Sequence, residues 1–220
     1  MGKWIFGLGL IFTLSVSYET QFEESGSEFT TPVKSFSLHE KGYLTPDSVP
    51  TGRLLVVPMQ VTGFDGEKSV KLESAFRVLE DVVNSEEFKE KVLNFKNRKG
   101  ERAFASNKGL TNEDIYSKFM DGRENLQQDT PNEMNFFLKL YNRPWSRVIG
   151  YTSGSTNLIN INWKYFKGNP IHSVAANLAH EWVHKIGFDH TSASESDSVP
   201  YGIGYIVGEL VKARLSSGLY

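Results

Sequence analysis

The chain has 220 residues, which is enough for one domain with a substantial hydrophobic core or for two small domains at most. A formal net charge of −2, without long basic runs, provides no electrostatic footprint for nucleic acid, so no nucleic-acid partner is expected. The chain has no cysteine, which excludes a disulfide framework and a thiol nucleophile.

The first 17 residues have the pattern of an export signal. Lys3 provides a positive start, residues 4–14 are mostly apolar, and residues 15–17 are small. The apolar run is too short to span a bilayer as an anchor, and no cysteine follows it that could carry a lipid. We therefore expect residues 1–17 to be a signal peptide, and the mature protein to begin near Tyr18. It would be secreted, into a periplasm or the extracellular space, without a membrane anchor.

Residues 18–50 are polar and show little periodicity, so they are predicted to form an N-terminal extension or a propeptide. Residues 51–220 carry strand-like and helix-like patterns and are predicted to form one domain. A valine-rich apolar run predicts the first strand over residues 53–61, and Pro58 within it indicates a sheet edge or a bulge. Helical spacing predicts an amphipathic helix over residues 69–84, and a second short helix follows from a Ser85 cap to residue 91.

The middle of the chain predicts further strands. Weak alternation indicates a strand or hairpin over residues 92–104, and a capping signal from Thr111 and Asp114 indicates a helix over residues 111–120. Three more strands are predicted over residues 133–141, 147–152 and 156–163.

Two helices close the chain. One is predicted to open with Asn169 as cap and Pro170 in its first turn, and the other to span residues 202–216. Together the elements predict an α+β fold, with a mixed twisted sheet, an active-site helix and a C-terminal helix.

Residues 180–190, with the sequence HEWVHKIGFDH, carry the strongest functional signal. His180 and His184 are four residues apart, so they lie on one helix face and can reach a single metal ion. Gly187 can end the helix and turn the chain, which allows His190 to return as a third ligand. Three histidines leave a fourth tetrahedral position open, as in a catalytic Zn²⁺ site, and Glu181 is placed to take a proton from a bound water.

The pattern HExxHxxGxxH resembles the zinc motif of the metzincin clan of metallopeptidases. The resemblance implies a metzincin-like (zincin) catalytic domain, a protein or peptide substrate, and peptide-bond hydrolysis by a secreted zinc endopeptidase, expected to be a monomer. The clan carries a methionine in a tight turn after the third histidine. No methionine follows His190 in this chain, where the last one is Met134.

The resemblance also implies roles for residues outside the motif. The strand before the last one, predicted over residues 147–152, would bind a substrate by main-chain pairing, which makes Val148, Gly150 and Tyr151 candidate substrate contacts. The segment 198–202 would form the tight turn below the metal. Val199 or Tyr201 would then supply its apolar floor, and the Tyr201 hydroxyl could instead hydrogen-bond an oxyanion in the transition state.

Two other interpretations of the motif stay open. In the first, Glu209 on the final helix is the third ligand, as in gluzincin-type HExxH peptidases. In the second, the chain is a non-catalytic secreted zinc-binding or adhesion module. Structural zinc sites prefer closed shells of four ligands, often with cysteine, which this chain lacks.

Overall fold

The computed structural model describes residues 52–190 and 195–218. The predicted signal peptide and the extension over residues 18–50 lie outside the described residues. Among the described helices, none has the length and apolar character needed to cross a membrane.

The described residues form an α+β fold, as predicted, with a four-stranded sheet and six helices. The strands are β1 (Leu55–Thr62), β2 (Glu133–Tyr141), β3 (Gly150–Thr152) and β4 (Leu158–Asn162). The helices are α1 (Glu67–Val83), α2 (Glu86–Leu93), α3 (Asn112–Asp121), α4 (Trp163–Gly168), α5 (Ile171–Lys185) and α6 (Val199–Ser216).

The sheet is open and mixed, with the strand order β1-β2-β4-β3. The pairs β1–β2 and β2–β4 are parallel, whereas β3 runs antiparallel to β4 at one edge. The opposite edge is β1, where the pairing register shifts between Pro58 and Gln60. Both features predicted from Pro58, an edge position and a bulge, are therefore confirmed.

The core lies between one face of the sheet and the helices. Alternate residues of β2, Met134, Phe136 and Leu138, are fully buried, as expected for a strand with one covered face. Phe76 of α1 places its ring 5.0 Å from that of Phe136, and α1 also packs against α5. The predicted helix cap at Ser85 and the capping box of Thr111 with Asp114 are both present.

The predicted strand or hairpin over residues 92–104 is wrong. Val92 and Leu93 instead complete α2, and the following residues form turns. The apolar residues of this stretch are buried by ring stacking, because Phe95 and Phe104 lie face to face with centroids 4.0 Å apart. Apolar side chains that pack in this way do not need the alternation of a strand.

The boundaries around the motif helix also differ from the prediction. The side chain of Asn162 accepts a hydrogen bond from the Lys164 N–H at 3.2 Å, so β4 ends there and the unpredicted helix α4 begins. Asn169 ends α4 instead of capping α5, and Pro170 occupies the N-cap of α5.

The predicted tight turn over residues 198–202 is wrong as well, because α6 begins at Val199 with Ser198 as its N-cap. Proline is tolerated in a first helical turn, where its missing N–H has no helical partner to lose, so Pro200 does not prevent this earlier start.

Helices α5 and α6 approach each other closely through small residues. A Cβ added to Gly204 would lie 3.0 Å from the Ala176 carbonyl oxygen and 3.2 Å from the His180 Cβ. A Cβ added to Gly208 would lie 3.2 Å from the Ala176 Cβ. The first turns of α6 therefore lie directly against the motif helix at Ala176 and His180.

Candidate metal centre

The structure brings His180, His184 and His190 together. One ring nitrogen of each lies within 4.8 Å of those of the other two, and this group can hold a metal ion. The ring centroids are 5.0 to 5.3 Å apart. His180 is buried, and the other two histidines are partly exposed, so the centre is accessible from one side.

The turn predicted at Gly187 is present. Gly187 has φ of +95°, its N–H donates to the His184 carbonyl, and the Phe188 N–H donates to the Val183 carbonyl at 3.3 Å. These two bonds form a Schellman motif, the arrangement in which glycine ends a helix in the left-handed conformation. The chain therefore leaves α5 at once, and His190 returns to the helix face that carries His180 and His184.

One of the histidines is oriented by a backbone carbonyl. The Nδ1 atom of His184 lies 2.8 Å from the Phe188 carbonyl oxygen. A ring that donates from one nitrogen keeps a lone pair on the other, which is how protein histidines are fixed for metal binding.

The spacing of the ring nitrogens fits a tetrahedral ion. The Nε2 atoms of His180 and His190 are 3.4 Å apart. Two nitrogen ligands at the usual zinc distance of about 2.0–2.1 Å and a tetrahedral angle would be separated by about 3.4 Å. In addition, the buried Nδ1 atom of His190 has no hydrogen-bond partner among the described residues. Donor type, donor number and spacing therefore suit Zn²⁺, and the ligand assignment stays a prediction.

The electrostatic environment keeps two of these rings neutral. Burial, reinforced by the neighbouring histidines, holds the pKa of His180 well below its ordinary value. Burial and His184 lower the pKa of His190 to about 4. Neutral imidazoles are the metal-binding form. Burial acts in the same direction on His184, but the carboxylates of Asp189, 3.8 Å from its Nδ1, and of Glu181 outweigh burial, and its pKa is raised.

Glu181 is buried beside the histidines and is held by two polar side chains. Its Oε2 atom accepts a hydrogen bond from the Thr152 hydroxyl at 3.0 Å, and its Oε1 atom accepts one from the Asn177 amide at 3.4 Å. Burial raises the pKa of Glu181, although His184, Thr152 and Asn177 oppose the shift. The carboxylate therefore has an increased proton affinity and stays hydrogen-bonded in a fixed position.

Tyr201 contacts the histidine cluster from the first turn of α6. Its ring centroid lies 4.6 Å from that of His180 and 4.6 Å from that of His190. Its buried hydroxyl has no hydrogen-bond partner among the described residues, and burial raises its pKa to about 12. The Tyr201 ring thus supplies an apolar contact to two candidate ligands, and its hydroxyl is protonated and available as a donor.

The three candidate substrate contacts lie at or next to the edge strand β3, which is shorter than predicted. Gly150 is buried, and a Cβ there would lie 2.9 Å from Asn177 Oδ1 and 3.1 Å from Glu181 Oε1. Tyr151 is half exposed, and its ring lies 5.6 Å from that of Tyr141. Val148 precedes β3, and its N–H and C=O are already bonded to Ser146 and Asn162. Main-chain pairing through Val148 is therefore not supported.

Glu209 lies away from the histidines, on the exposed side of α6. It accepts a hydrogen bond from the Tyr205 hydroxyl at 2.6 Å and forms an ion pair with Lys91 at 3.4 Å. It does not belong to the group of described residues that can hold a metal. The geometry therefore gives no support to Glu209 as a third ligand.

A buried ion pair next to the motif was not anticipated from the sequence. Lys185, directly after His184, lies 2.7 Å from Glu124, and both side chains are almost fully inaccessible. Glu124 also accepts hydrogen bonds from the Trp182 indole at 2.7 Å and the Asn135 N–H at 3.0 Å, while Lys185 donates to the Asn135 carbonyl at 2.6 Å. Burial lowers the pKa of Lys185 and Glu124 opposes this shift.

The ion pair satisfies main-chain groups of β2 that β4 leaves unpaired. Pairing of β2 with β4 begins at Phe137, so β4 leaves the N–H and C=O of Asn135 unpaired on that side. Glu124 and Lys185 satisfy both groups, and the Asn125 N–H donates to the Lys185 carbonyl at the end of α5. The network therefore ties the metal-binding end of α5 to the sheet. Glu124 follows a helix in a polar turn, where the sequence gives no signal of burial.

Comparisons with protein-family models, with curated proteins and with solved structures found no match.

The first prediction concerns the third ligand. His190→Ala should lower Zn²⁺ affinity by more than about 100-fold, since even the loss of a group that only orients a ligand costs 10–100-fold. Glu209→Ala should keep wild-type affinity, because Glu209 faces Lys91 and Tyr205. Metal content and competition with a chromophoric chelator measure both. His172→Ala is the control, because His172 lies on α5 with His180 and His184 but outside the histidine cluster. Loss of zinc in the Glu209 variant with retention in the His190 variant would reverse the assignment.

The second prediction concerns the buried ion pair. Glu124→Gln should lower the free energy of unfolding by about 3–5 kcal/mol, because it leaves the Lys185 charge buried without its partner. The double variant Glu124→Gln/Lys185→Met should recover part of that loss. Urea denaturation measures the free energy of unfolding of both variants. Glu86→Gln, which breaks the exposed pair of Glu86 with Lys89, is the control and should change this free energy little. Equal stability of the Glu124 variant and the wild type would show that the pair does not stabilise the fold.

Proposed function

We propose that this protein is a zinc-dependent endopeptidase with a metzincin-like catalytic domain. The observation that carries the proposal is the joint placement of three histidine nitrogens within 4.8 Å and a buried, hydrogen-bonded glutamate one residue after the first histidine. The α+β class and the position of β3 at an edge of the sheet are compatible with such a domain.

The residues His180, His184 and His190 would hold the zinc ion, leaving one position of a tetrahedral shell for water. A bound zinc ion supplies Lewis acidity and brings the pKa of a coordinated water down to about 7. The backbone carbonyl of Phe188 keeps the His184 imidazole in the required tautomer.

Glu181 is the proposed general base and, after proton transfer, the general acid. Thr152 and Asn177 each donate to one of its oxygens, so the carboxylate cannot swing away from the centre. Its raised pKa favours acceptance of a proton from water and delivery of that proton to the leaving amine. Hydrolysis by this route needs no covalent intermediate on the protein.

The edge strand β3 is the proposed substrate-binding strand. One side of β3 pairs with β4 and the other side ends the sheet, so its main chain can accept an added strand. Thr152 of this strand donates to Glu181, and Gly150 contacts the same carboxylate closely. A polypeptide paired with β3 would therefore lie next to the proposed base, which suits cleavage within a chain.

A non-catalytic zinc-binding module is the second candidate, and the site favours it less. A structural zinc shell is closed by four protein ligands, whereas the described group contains three. A structural site also has no use for a buried glutamate that must be stabilised by Thr152 and Asn177.

The third prediction tests the base. Glu181→Gln preserves size and hydrogen bonding but removes the proton acceptor, so zinc content and melting temperature should stay the same while casein hydrolysis falls by about 10²–10⁴-fold. Glu209→Gln is the matched control and should keep full turnover. Near wild-type turnover of the Glu181 variant with full zinc would refute the assignment. Absence of hydrolysis in the zinc-loaded wild type, across a proteome-derived peptide library, would favour the non-catalytic module.

The fourth prediction concerns Tyr201, whose hydroxyl lacks a hydrogen-bond partner among the described residues and whose ring contacts His180. If this hydroxyl hydrogen-bonds the oxyanion, Tyr201→Phe should reduce kcat by about tenfold or more, equivalent to about 1.4 kcal/mol in the barrier, with zinc affinity unchanged. Tyr205→Phe on the same helix is the control, because Tyr205 is exposed and bonds to Glu209. Unchanged turnover of the Tyr201 variant would leave only the apolar contact with the histidine rings.

The fifth prediction concerns export, which we propose from residues 1–17 alone. Expression of the full chain in an exporting host should yield a secreted protein whose intact mass corresponds to a start near Tyr18. A secreted protein that retains residues 1–17 would contradict the signal-peptide assignment.

A further inference from the structure

The loop between β2 and β3 exposes a tryptophan that the proposed chemistry does not use. Trp145 is 95% exposed, and Arg143 and Arg147 on either side of it are exposed as well. We call Arg143, Trp145 and Arg147 the Trp145 surface. Tryptophan and arginine are the residues that most often dominate binding energies at interfaces.

The Trp145 surface is held in place by its backbone. The Asn162 amide donates to the carbonyls of Arg143 and Val148, at 3.1 and 3.2 Å. The Ser146 carbonyl accepts from Lys164 at 2.9 Å and from the Tyr165 hydroxyl at 3.0 Å. The loop is therefore anchored to β4 and α4 while its tryptophan points into solvent. Because the backbone of the loop is already ordered, binding at this surface does not have to order it.

The stretch of sequence that carries this surface has charge of one sign. Residues 134–180 include five lysines or arginines and no aspartate or glutamate, whereas the whole chain has a formal net charge of −2. None of the ion pairs between described residues involves Arg143 or Arg147. Lys164 packs its ammonium group against the same loop. The unpaired guanidinium groups are available for carboxylates of a partner, which they bind in bidentate geometry.

The Trp145 surface leads directly into the candidate substrate strand. Only residues 148 and 149 separate Arg147 from Gly150, the first residue of β3, and Gly150 and Thr152 contact Glu181. A polypeptide that paired with β3 and continued past its start would therefore meet Trp145 and the two arginines. An extended chain covers about 3.3 Å per residue, so this contact needs only a few residues beyond the paired segment.

We propose that the Trp145 surface selects acidic polypeptides, with Arg143 and Arg147 binding carboxylates and Trp145 binding an apolar side chain of the same segment. The inference rests on the proposed function for the position of the substrate, but its binding step does not require hydrolysis. It assigns a substrate class to the site: segments with acidic and apolar residues close to the bond that is cut.

Binding is tested first on the full chain carrying Glu181→Gln, so that cleavage does not interfere. The probes are two peptides of equal length and identical apolar residues, one with glutamates and the other with glutamines in their place. The glutamate peptide should bind about tenfold more tightly at low salt, and the preference should shrink as salt is added. The double variant Arg143→Glu/Arg147→Glu should abolish the preference for the glutamate peptide. Trp145→Ala should lower the affinity for both peptides by about tenfold.

The matched control is Lys96→Glu/Lys99→Glu, which changes the same charge on exposed residues of the loop after α2. This variant should retain the preference. Equal affinity for the two peptides, or a preference that survives in the arginine variant, would overturn the inference. Binding to vesicles that contain anionic lipid is measured as well. If the protein binds these vesicles through Trp145 but shows no preference between the two peptides, the inference is wrong and the surface binds membranes instead.

Hydrolysis separates this inference from the proposed function. With Glu181 intact, the glutamate peptide should be cleaved with about a tenfold higher kcat/KM than its glutamine twin, and the arginine variant should remove that difference while zinc content stays constant. If the protein prefers the glutamate peptide in binding but cleaves neither peptide, the proposed peptidase function is refuted and the proposed role of the Trp145 surface is retained. Cleavage without charge preference would keep the peptidase and refute the surface.

Discussion

The close approach of α6 to α5 at Gly204 is the constraint on which the candidate metal centre depends. Because Gly204 has no side chain, the start of α6 lies against His180 and Ala176. This contact brings the Tyr201 ring to within 4.6 Å of two histidine rings. A Cβ at residue 204 would require Ala176 and His180 to shift by a few tenths of an ångström.

The C-terminal end of the motif helix is fixed by different physics. There the buried charges of Glu124 and Lys185 connect α5 to the main chain of β2. A buried ion pair contributes little net stability compared with apolar packing, but it tolerates only one geometry. The Schellman turn at Gly187 then starts from a fixed helix end, so the turn brings His190 back to His180 and His184. Close packing against α6 and the buried ion pair at the C-terminal end of α5 thus position the three candidate ligands. Two of them lie on α5 and the third lies on the segment that follows it.

The sequence predicted those features that depend on local periodicity. The bounds of β2 agree with the prediction to the residue, and the caps at Ser85 and Thr111 and the bulge at Pro58 were all encoded locally. The predicted turn after His184 was also local, because glycine at that position specifies it. The metzincin-like fold and the zinc chemistry remain predictions, since the α+β class and the histidine cluster are compatible with them without establishing them.

Features that depend on distant partners were missed. Residues 92–104 looked strand-like because their aromatic side chains were apolar, yet Phe95 and Phe104 stack on each other and meet Gly202 of α6. The early start of α6 could not be predicted, because Pro200 fits a turn and a first helical turn equally well. The buried state of Glu124 depends on Trp182 and Lys185, which are about sixty residues away in the chain. No local pattern reports such a contact.

The different start of α6 changes how the missing methionine is understood. A separate turn below the histidines is unnecessary here, because the first helical turn already places the Tyr201 ring against His180 and His190. A tyrosine in that position provides the apolar contact and also a hydroxyl, whose raised pKa keeps it protonated. The hydroxyl remains unbonded among the described residues, while both oxygens of Glu181 are bonded. The centre therefore combines a hydrogen-bonded carboxylate with one hydroxyl that has no partner among the described residues, which is the pairing that the proposed addition of water to a carbonyl would use.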